Sequence, residues 1–507
     1  MSKEIELKLG LPASQARRIT AHPLLSGYKP QKYRLFNTYY DTPEFDLRNR
    51  GIALRLRRKG WTTWLMTVKG GASGAGGLAQ RSEWEAPTQP GVFDFSIVGD
   101  EELREFLDSC HARLQAAFST DFTRTAWIVP HEGAVIEVAL DRGSLSAIDL
   151  NGDTGAVKEP ISELELELVE GESSDPLFDL AIRLAAEVDL HPEVLSKAER
   201  GYALADSGFM RPVKAAVSSL DKEMSPVDAF RAIALSCVLH LQRNESGAIA
   251  GNDPEFVHQA RVAIRRLRSA FRLFSPALSP KFVEVYAPRW KTLASDLGDA
   301  RDWDVFLDET LTPLEEAFPG DSDLAVLRQK GEAAKIRAQA AAGSALSQVE
   351  YNRLVLAFSA ALLRIEPPTI APGKRKSGGR LRKFAKRRLE KRALAVEELA
   401  REHGKMNADR RHELRIAFKK LRYALEFFAP LFPGKRLTAY QSSLASIQDL
   451  LGTLNDQVTA LRLIKELHPK GEPQPLTKGW IAGRTQLLLS ALNTELRRFL
   501  ACRRPWG

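Results

Sequence analysis

Glu4-Ile5-Glu6-Leu7-Lys8-Leu9 alternates charged and apolar residues, a period that an extended strand turns into one charged face and one apolar face. The same pattern returns in Ala53-Leu54-Arg55-Leu56-Arg57 and in Glu163-Leu164-Glu165-Leu166-Glu167-Leu168. It dominates the chain from Lys3 to about Glu170. A glycine-rich loop at 70–77 and helical stretches around 12–20, 101–117 and 176–187 interrupt it. Such strands suit either an open sheet with one wet face or a closed barrel whose charged face points inward. For a single strand the wet face is the commoner outcome. Across five or six strands, the other face is too thoroughly apolar for the charged one to be decorative.

Carboxylates two apart on a strand repel, and burying them uncompensated is costly. Glu4 and Glu6 with Glu163, Glu165 and Glu167 on one inner surface would form a cage for a hard divalent cation, Mg2+ or Mn2+. Cationic side chains come between and after them: Arg55, Arg57, Lys69, Arg81, Arg124 and Lys197. An interior with both charges suits a short polyphosphate carrying metal ions.

Working outward, the character changes after Ala205. Residues 1–210 hold 23 Lys and Arg against 32 Asp and Glu, a net charge of −9, whereas the whole chain is +9 and the remainder therefore +18. Such a basic half attracts a polyanion, and charge alone does not choose among nucleic acid, acidic membrane and polyphosphate. Residues 208–226 read as a linker, and the periodicity beyond it is helical. A Pro, Gly and basic run at 367–380 reads as a loop between two bundles. The helical part repeats itself: His258 with His412 and Leu297 with Leu451 are both 154 residues apart.

In each copy one helix carries a cationic stripe at spacings of three and four. The first has His258, Arg261, Arg265, Arg268 and Arg272; the second has His412, Arg415, Lys419 and Arg422, then Glu426. An apolar stripe runs beside each, Val257 to Phe274 and Leu414 to Phe428. A solvated face is the ordinary fate of a charge run, but few acids lie within this one and it recurs in both copies. A carboxylate helix follows each (Asp296, Asp299, Asp302 and Asp304; Asp449 and Asp456), suited to orienting the arginines. No aromatic residue interleaves the cations, which favours a ligand read through phosphate over nucleic acid.

At 507 residues the chain exceeds one ordinary domain. No run approaches the roughly 18 apolar residues of a membrane span. Three scattered cysteines, Cys110, Cys237 and Cys502, predict a reducing compartment, and the first residues lack signal-peptide character. The expectation is a cytoplasmic protein with no membrane partner.

Two family resemblances sharpen these readings. Glu4-x-Glu6-x-Lys8, YYDTP at 39–43, LRLR at 54–57, TVK ending at Lys69, RSEWE from Arg81, TDFTR ending at Arg124, EVALDRG from Glu137, ELELEL from Glu163 and LSKAERGY from Leu195 resemble the CYTH superfamily. The arrangement is similar to the bacterial inorganic triphosphatase type of triphosphate tunnel metalloenzyme. HQARVAIRRLR from His258 and LGDARDWD from Leu297 resemble the CHAD domain, with a weaker second copy. The resemblances imply a multidomain chain, α+β and then all-α. An eight-stranded antiparallel β-barrel forming a tunnel would occupy 1–205 and a linker 206–221. Two pseudo-repeated four-helix bundles would fill 222–507, in halves of about 222–366 and 381–507.

They also imply roles. Glu4, Glu6, Glu165 and Glu167 would hold Mg2+ (or Mn2+), with Glu163 in reserve. Glu4, Glu6, Lys8, Lys69 and Lys197 would be catalytic. Arg55, Arg57, Arg81 and Arg124, with Lys8, Lys69 and Lys197, would bind triphosphate. Glu83, Glu137 and Asp141 would hold the cations in place. Long-chain polyphosphate would lie on His258, Arg261, Arg265, Arg266, Arg268, His412, Arg415, Lys419, Lys420 and Arg422. The implied activity is metal-dependent hydrolysis of inorganic triphosphate to pyrophosphate and phosphate. The alternatives are a non-catalytic polyphosphate-binding or granule-associated protein, and an enzyme of an organic triphosphate (thiamine triphosphate, or ATP, including adenylate cyclase).

Overall fold

The computed structural model describes residues 2–147, 157–206, 210–251, 253–366, 381–402, 404, 406–467 and 475–506. The expected loop at 367–380 and residues 207–209 of the expected linker lie outside the described residues. The chain divides into two compact units. One is Met1–Arg211 with Ser347–Arg364, and the other is Pro212–Leu346 with Ile365–Gly507.

In the first unit eight antiparallel strands close into a barrel. They are β1 (Ser2–Gly10), β2 (Gln31–Asp41), β3 (Ala53–Lys59), β4 (Thr63–Ser73), β5 (Leu78–Pro87), β6 (Gln115–His131), β7 (Ala134–Ala147) and β8 (Lys158–Glu170). Their order is β5-β4-β3-β2-β6-β7-β8-β1, and β1 pairs back onto β5. A two-residue strand, β9 (His191–Pro192), edges β1 at Leu9 and Gly10.

The barrel's apolar core lies outside it. Leu7, Leu9, Val138, Leu140, Leu164 and Leu166 pack with Leu177, Phe178, Ala181 and Leu184 of helix Asp175–Leu184. On the β3–β5 wall, Leu54, Leu56, Met66, Val68 and Trp84 pack with Leu107 and Cys110 of helix Glu101–Cys110. The alternation does the rest, turning every intervening charged residue inward. Each buried leucine contributes roughly 1.5–3 kcal/mol, so the outer shell offsets the cost of a charged interior.

One helix of this unit, Val349–Leu363, comes from far down the chain. Its apolar face matches the barrel's outer shell: Leu356 and Ala360 join the Leu7 and Leu9 cluster, with Leu363 beside them. Asn352 shares a 2.9 Å hydrogen bond with His191 and donates to Asp189 at 3.1 Å. Fully buried Ser359 faces Gly76, which has φ +66; a Cβ there would stand 2.0 Å from Ser359 Oγ. The expected first repeat half, about 222–366, includes this segment, because neither the repeat nor helical periodicity says which core a helix covers.

The second unit is helical, and its repeat is visible in element boundaries. Pro254–Phe274 and Ala408–Phe428, the two basic helices, are 154 residues apart at both ends. So are the 3-10 turns that follow, Ser275–Ala277 and Ala429–Leu431. Each copy has four helical segments: the first begins with Pro226–Ala250 and ends with Ser322–Leu346, the second runs from Leu381–Ala400 to Pro475–Leu500. Phe230 and Phe274 lie 6.0 Å apart, and their repeat mates Phe384 and Phe428 lie 6.3 Å apart. Phe274 also touches its own mate, Phe428, at 5.6 Å, which marks a pseudo-two-fold axis. The copies differ in their third segment. Lys435–Leu467 is one continuous helix, whereas the first copy breaks at Leu297 and adds a π-helical turn, Phe306–Leu311. No described helix is long and apolar enough to cross a membrane.

Candidate functional site

Strand register stacks the interior side chains in rows. Arg124, Asp141 and Glu163 are neighbours across β6, β7 and β8. The next row is Ala139, Glu165 and Lys8, and the one after it is Glu137, Glu167 and Glu6. Glu4 pairs with Arg81, and Lys69 with Glu83. Arg55 and Arg57 enter from β3 beside Tyr39 and Asn37. Lys197 enters from helix Lys197–Ala205, whose start is fixed by a reciprocal Ser196–Glu199 cap at 2.9 and 3.1 Å. Gly201 lets that helix lie flat on Phe118, where a Cβ would stand 2.1 Å from the ring. Beside Glu137 is a cavity of about 210 Å³, lined also by Tyr28, Lys29, Gln31, Ala126 and Ile128.

Most interior charges are paired. Lys69 Nζ donates to Glu4 at 2.8 Å and lies 3.1 Å from Glu83. Arg81 bridges Glu4 at 2.7 Å and Glu6 at 2.5 Å. Arg124 grips Asp141 with two bonds of 2.7 Å and also bonds Glu165. Lys197 Nζ lies 2.8 Å from Asp141, 2.5 Å from Glu163 and 2.8 Å from Glu165. Burial opposes ionisation of Glu4, but Lys69 and Arg81 hold its carboxyl down at about 2. Burial likewise opposes Glu165, and Lys197, Arg124 and Lys8 hold it well below the usual carboxylate range.

Two places keep an uncancelled charge. Burial, then repulsion from Arg55 and Arg124, pushes the Arg57 guanidinium down to about 10. Its nearest polar contacts are Asn37 Oδ1 at 2.9 Å and Glu85 at 4.0 Å. Opposite in sign is Glu167, which stands between Glu6 and Glu137 in its row. Burial, then Glu4, with Glu137 and Glu6 adding, pushes Glu167 up to about 7. Of the expected metal ligands, Glu4 and Glu165 are therefore held by cations, while Glu167 is the carboxylate that a metal ion would relieve. Asp141, Glu163 and Glu165 do converge within 4.8 Å, but Lys197 and Arg124 already neutralise them. A cation fits better at Glu167, with which no lysine or arginine pairs among the described residues.

Some interior residues escaped the sequence reading. Asn37 and Thr120, both fully buried, bond each other at 2.8 Å, and Thr67 bonds Glu85 at 2.8 Å. Burial pushes Tyr39 up, but Arg55, with Arg57 and Lys197, together hold it below its ordinary value. The signal was the parity of β2, since Tyr33, Leu35, Asn37 and Tyr39 share one face. Trp84 packs in the outer cluster and Trp61 is exposed, so neither lines the interior.

In the helical unit the structure brings together Arg261 and Arg265 of the first basic helix with Arg415 and Lys419 of the second. Burial, then Arg415 and Arg265, pushes the Lys419 ammonium down to about 7. His258 belongs to the same group; burial, then Arg301, takes its imidazole to about 4. Arg301 was not foreseen, because it lies on the carboxylate helix. Asp302 faces Arg261 at 3.7 Å and Arg462 at 2.9 Å, so that helix orients cations. Arg266 stands apart: it is buried, paired with Glu426 at 3.2 Å and placed over the Phe427 ring. One residue is 100° of helix, so Arg266 braces the partner helix while Arg265 stays exposed. Arg268 lies beside Arg272, Arg422 donates to Gln448 at 2.7 Å, and His412 and Lys420 are exposed.

Comparison with known proteins covers both units. The CYTH domain model matches residues 2–202, and the CHAD domain model matches residues 232–465. An inorganic triphosphatase of Haemophilus influenzae is 34% identical over 214 residues, 41% of this chain; the chain covers 57% of that relative's length. Among solved structures, the CHAD domain of the plant Ricinus communis is 32% identical over 58% of this chain and 98% of its own, with a TM-score of 0.47. A Hippeastrum putative adenylyl cyclase, described as having a dominant triphosphatase activity, is 19% identical over 41% of this chain and 98% of its own, with a TM-score of 0.30. The chain thus joins a member of the CYTH family, at residues 2–202, to a member of the CHAD family, at residues 232–465.

Proposed function

We propose that the barrel hydrolyses inorganic triphosphate to pyrophosphate and orthophosphate with a divalent cation, magnesium by preference, and that the helical unit binds long-chain polyphosphate. One observation carries the first part: the interior keeps two poorly compensated charges of opposite sign, the Arg57 guanidinium, repelled by Arg55 and Arg124, and the Glu167 carboxylate, set between Glu6 and Glu137. A linear anion that brings its own cation neutralises both. The 34% identity to an inorganic triphosphatase supports the same reading.

Glu6 and Glu167 would hold the cation, with Glu4 and Glu165 completing the expected set. The ion would supply charge neutralisation and polarise the attacking water. The chain's own side chains do the remainder. Arg55, Arg57 and Arg124 bind and align the phosphate chain, and Lys8, Lys69, Arg81 and Lys197 stabilise charge on the phosphoryl oxygens as the bond to the leaving pyrophosphate breaks. Glu83 beside Lys69 and Asp141 beside Lys197 would fix those ammonium groups beforehand, so little reorganisation is needed.

The second part rests on Arg261, Arg265, Arg415 and Lys419, four cations drawn together across the pseudo-two-fold axis. The test is orthophosphate release from tripolyphosphate, ATP and thiamine triphosphate, with and without magnesium. Preference for tripolyphosphate is expected; inertness toward all three overturns the enzyme reading, and cyclic AMP from ATP replaces it with a cyclase. Glu4→Gln with Glu6→Gln should abolish turnover and leave polyphosphate binding intact.

A further inference from the structure

The two helical copies obey one pseudo-two-fold axis, so a place where their charges disagree stands out. Arg266 of the first basic helix pairs with Glu426 of the second at 3.2 Å. Cys237 lies against that pair and feels both charges. Stepping each residue by 154 gives the mate position: Arg266 becomes Lys420, Glu426 becomes Arg272, and Cys237 becomes Lys391. Ala234 and Val238 become Arg388 and Arg392. One corner is therefore a neutral brace, and its mate is built wholly of cations.

The corner is real in space as well as in register. Arg388 Nη2 donates to the Arg272 carbonyl at 3.3 Å, which seats helix Leu381–Ala400 at the end of the first basic helix. Among the described residues, no carboxylate pairs with Arg272, Arg388, Arg392 or Lys420. The Nε atoms of Arg388 and Arg392 are buried without an acceptor. A half-buried guanidinium whose Nε lacks an acceptor is costly unless an anion visits it. Arg265, Arg268 and Arg272 follow one another a helical turn apart, so the corner continues the central cationic row.

We propose that Arg272, Arg388, Arg392, Lys391 and Lys420 form a second anion site, which takes the phosphates of a polyphosphate chain beyond the central row. The inference rests on polyphosphate being the ligand of the helical unit. It gives the bound chain a direction, since only one of the two mate corners is cationic. Affinity then depends on length: a chain that fills only the central row gains nothing from the corner, and a longer one does.

Arg272→Glu tests this with little threat to folding, because it restores the acid found at Glu426 and gives Lys420 the partner that Arg266 has. Binding of length-defined polyphosphates to the whole chain is measured by calorimetry in chelator, which silences hydrolysis. Long chains should bind the variant at least about tenfold more weakly, the loss expected for one or more charge-assisted hydrogen bonds. Short chains should bind both proteins alike. Arg388→Ala with Arg392→Ala should show the same pattern. Equal affinity of wild type and both variants for every length overturns the second site alone. Absence of polyphosphate binding in the wild type overturns the parent reading with it, and an Arg272-dependent preference for single-stranded RNA of equal charge overturns the choice of ligand.

Discussion

Replacing Lys197 with methionine tests how the barrel tolerates its own interior. The ammonium lies 2.5–2.8 Å from Glu163, Asp141 and Glu165, and its side chain is only 8% exposed. Methionine keeps most of the stem, so the change is electrostatic rather than a cavity. In the variant Arg124 still faces Asp141 and Glu165, but Glu163 keeps only Arg200, at 3.7 Å. Breaking a buried pair this way costs about 3–5 kcal/mol. At roughly 2–4 °C per kcal/mol for a unit of this size, the barrel should melt roughly 6–20 °C lower. The sign with pH follows from the acids left behind. The attraction lost with Lys197 acts only on ionised carboxylates, so the deficit is largest at high pH and shrinks as pH falls into the carboxylate range, near about 4–5. Calorimetric melting of wild type and variant in chelator at pH 8 and pH 5 measures both. A fall under about 2 °C at pH 8, against the 2–4 °C that even 1 kcal/mol gives, or a deficit independent of pH, would refute the argument that this lysine neutralises the cage.

Magnesium should raise the melting temperature of the barrel, because a ligand at 100 times its Kd stabilises by about 2.7 kcal/mol. Glu167→Gln should erase most of that rise without lowering the metal-free melting temperature, and an undiminished rise would remove Glu167 from the ligand set. Lys419, pushed down to about 7 by burial and then by Arg415 and Arg265, should regain its proton when a polyanion binds. Titrations near pH 8 should therefore show proton uptake, and affinity should fall as pH rises through 7; buffer-independent heats would contradict this. Leu356→Ala should cost about 2–5 kcal/mol as a core truncation. The loss should appear in the melting of the barrel, and a loss confined to the helical unit would contradict the placement of helix Val349–Leu363.

How much of this was legible in the sequence depends on the range of the interaction involved. Alternation in Glu4–Leu9 and Glu163–Leu168 fixes which side chains share a face, and the strands formed accordingly. It does not say whether the first strand meets the fifth, so closure through β1 and β5 came from resemblance and then from the structure. The repeat was legible at the basic helices, where one offset of 154 matches both helix ends, but not in the third segment, which breaks at Leu297 only in the first copy. Two further things were not. Arg265 and Arg266 look interchangeable in a basic run, yet a single step around the helix separates an exposed cation from a buried brace. Helix Val349–Leu363 carries ordinary amphipathic spacing, and only its fit to Gly76, His191 and the Leu7 cluster assigns it to the barrel.

The two units meet one electrostatic problem and leave different remainders. In the barrel, seven cations and a larger number of acids pair off until the Arg57 guanidinium and the Glu167 carboxylate are left poorly compensated. Neither a bare anion nor a bare cation satisfies both. The helical unit pairs Arg266 with Glu426 and Arg261 with Asp302, and leaves Arg265, Arg415 and Lys419 crowding one another. A bare polyanion satisfies that remainder without metal. If the proposed activities hold, chelation should separate them in one molecule, silencing the barrel while leaving polyphosphate on the helices. Loss of both on chelation would mean that the helical unit, despite its charge, also takes its ligand as a metal complex.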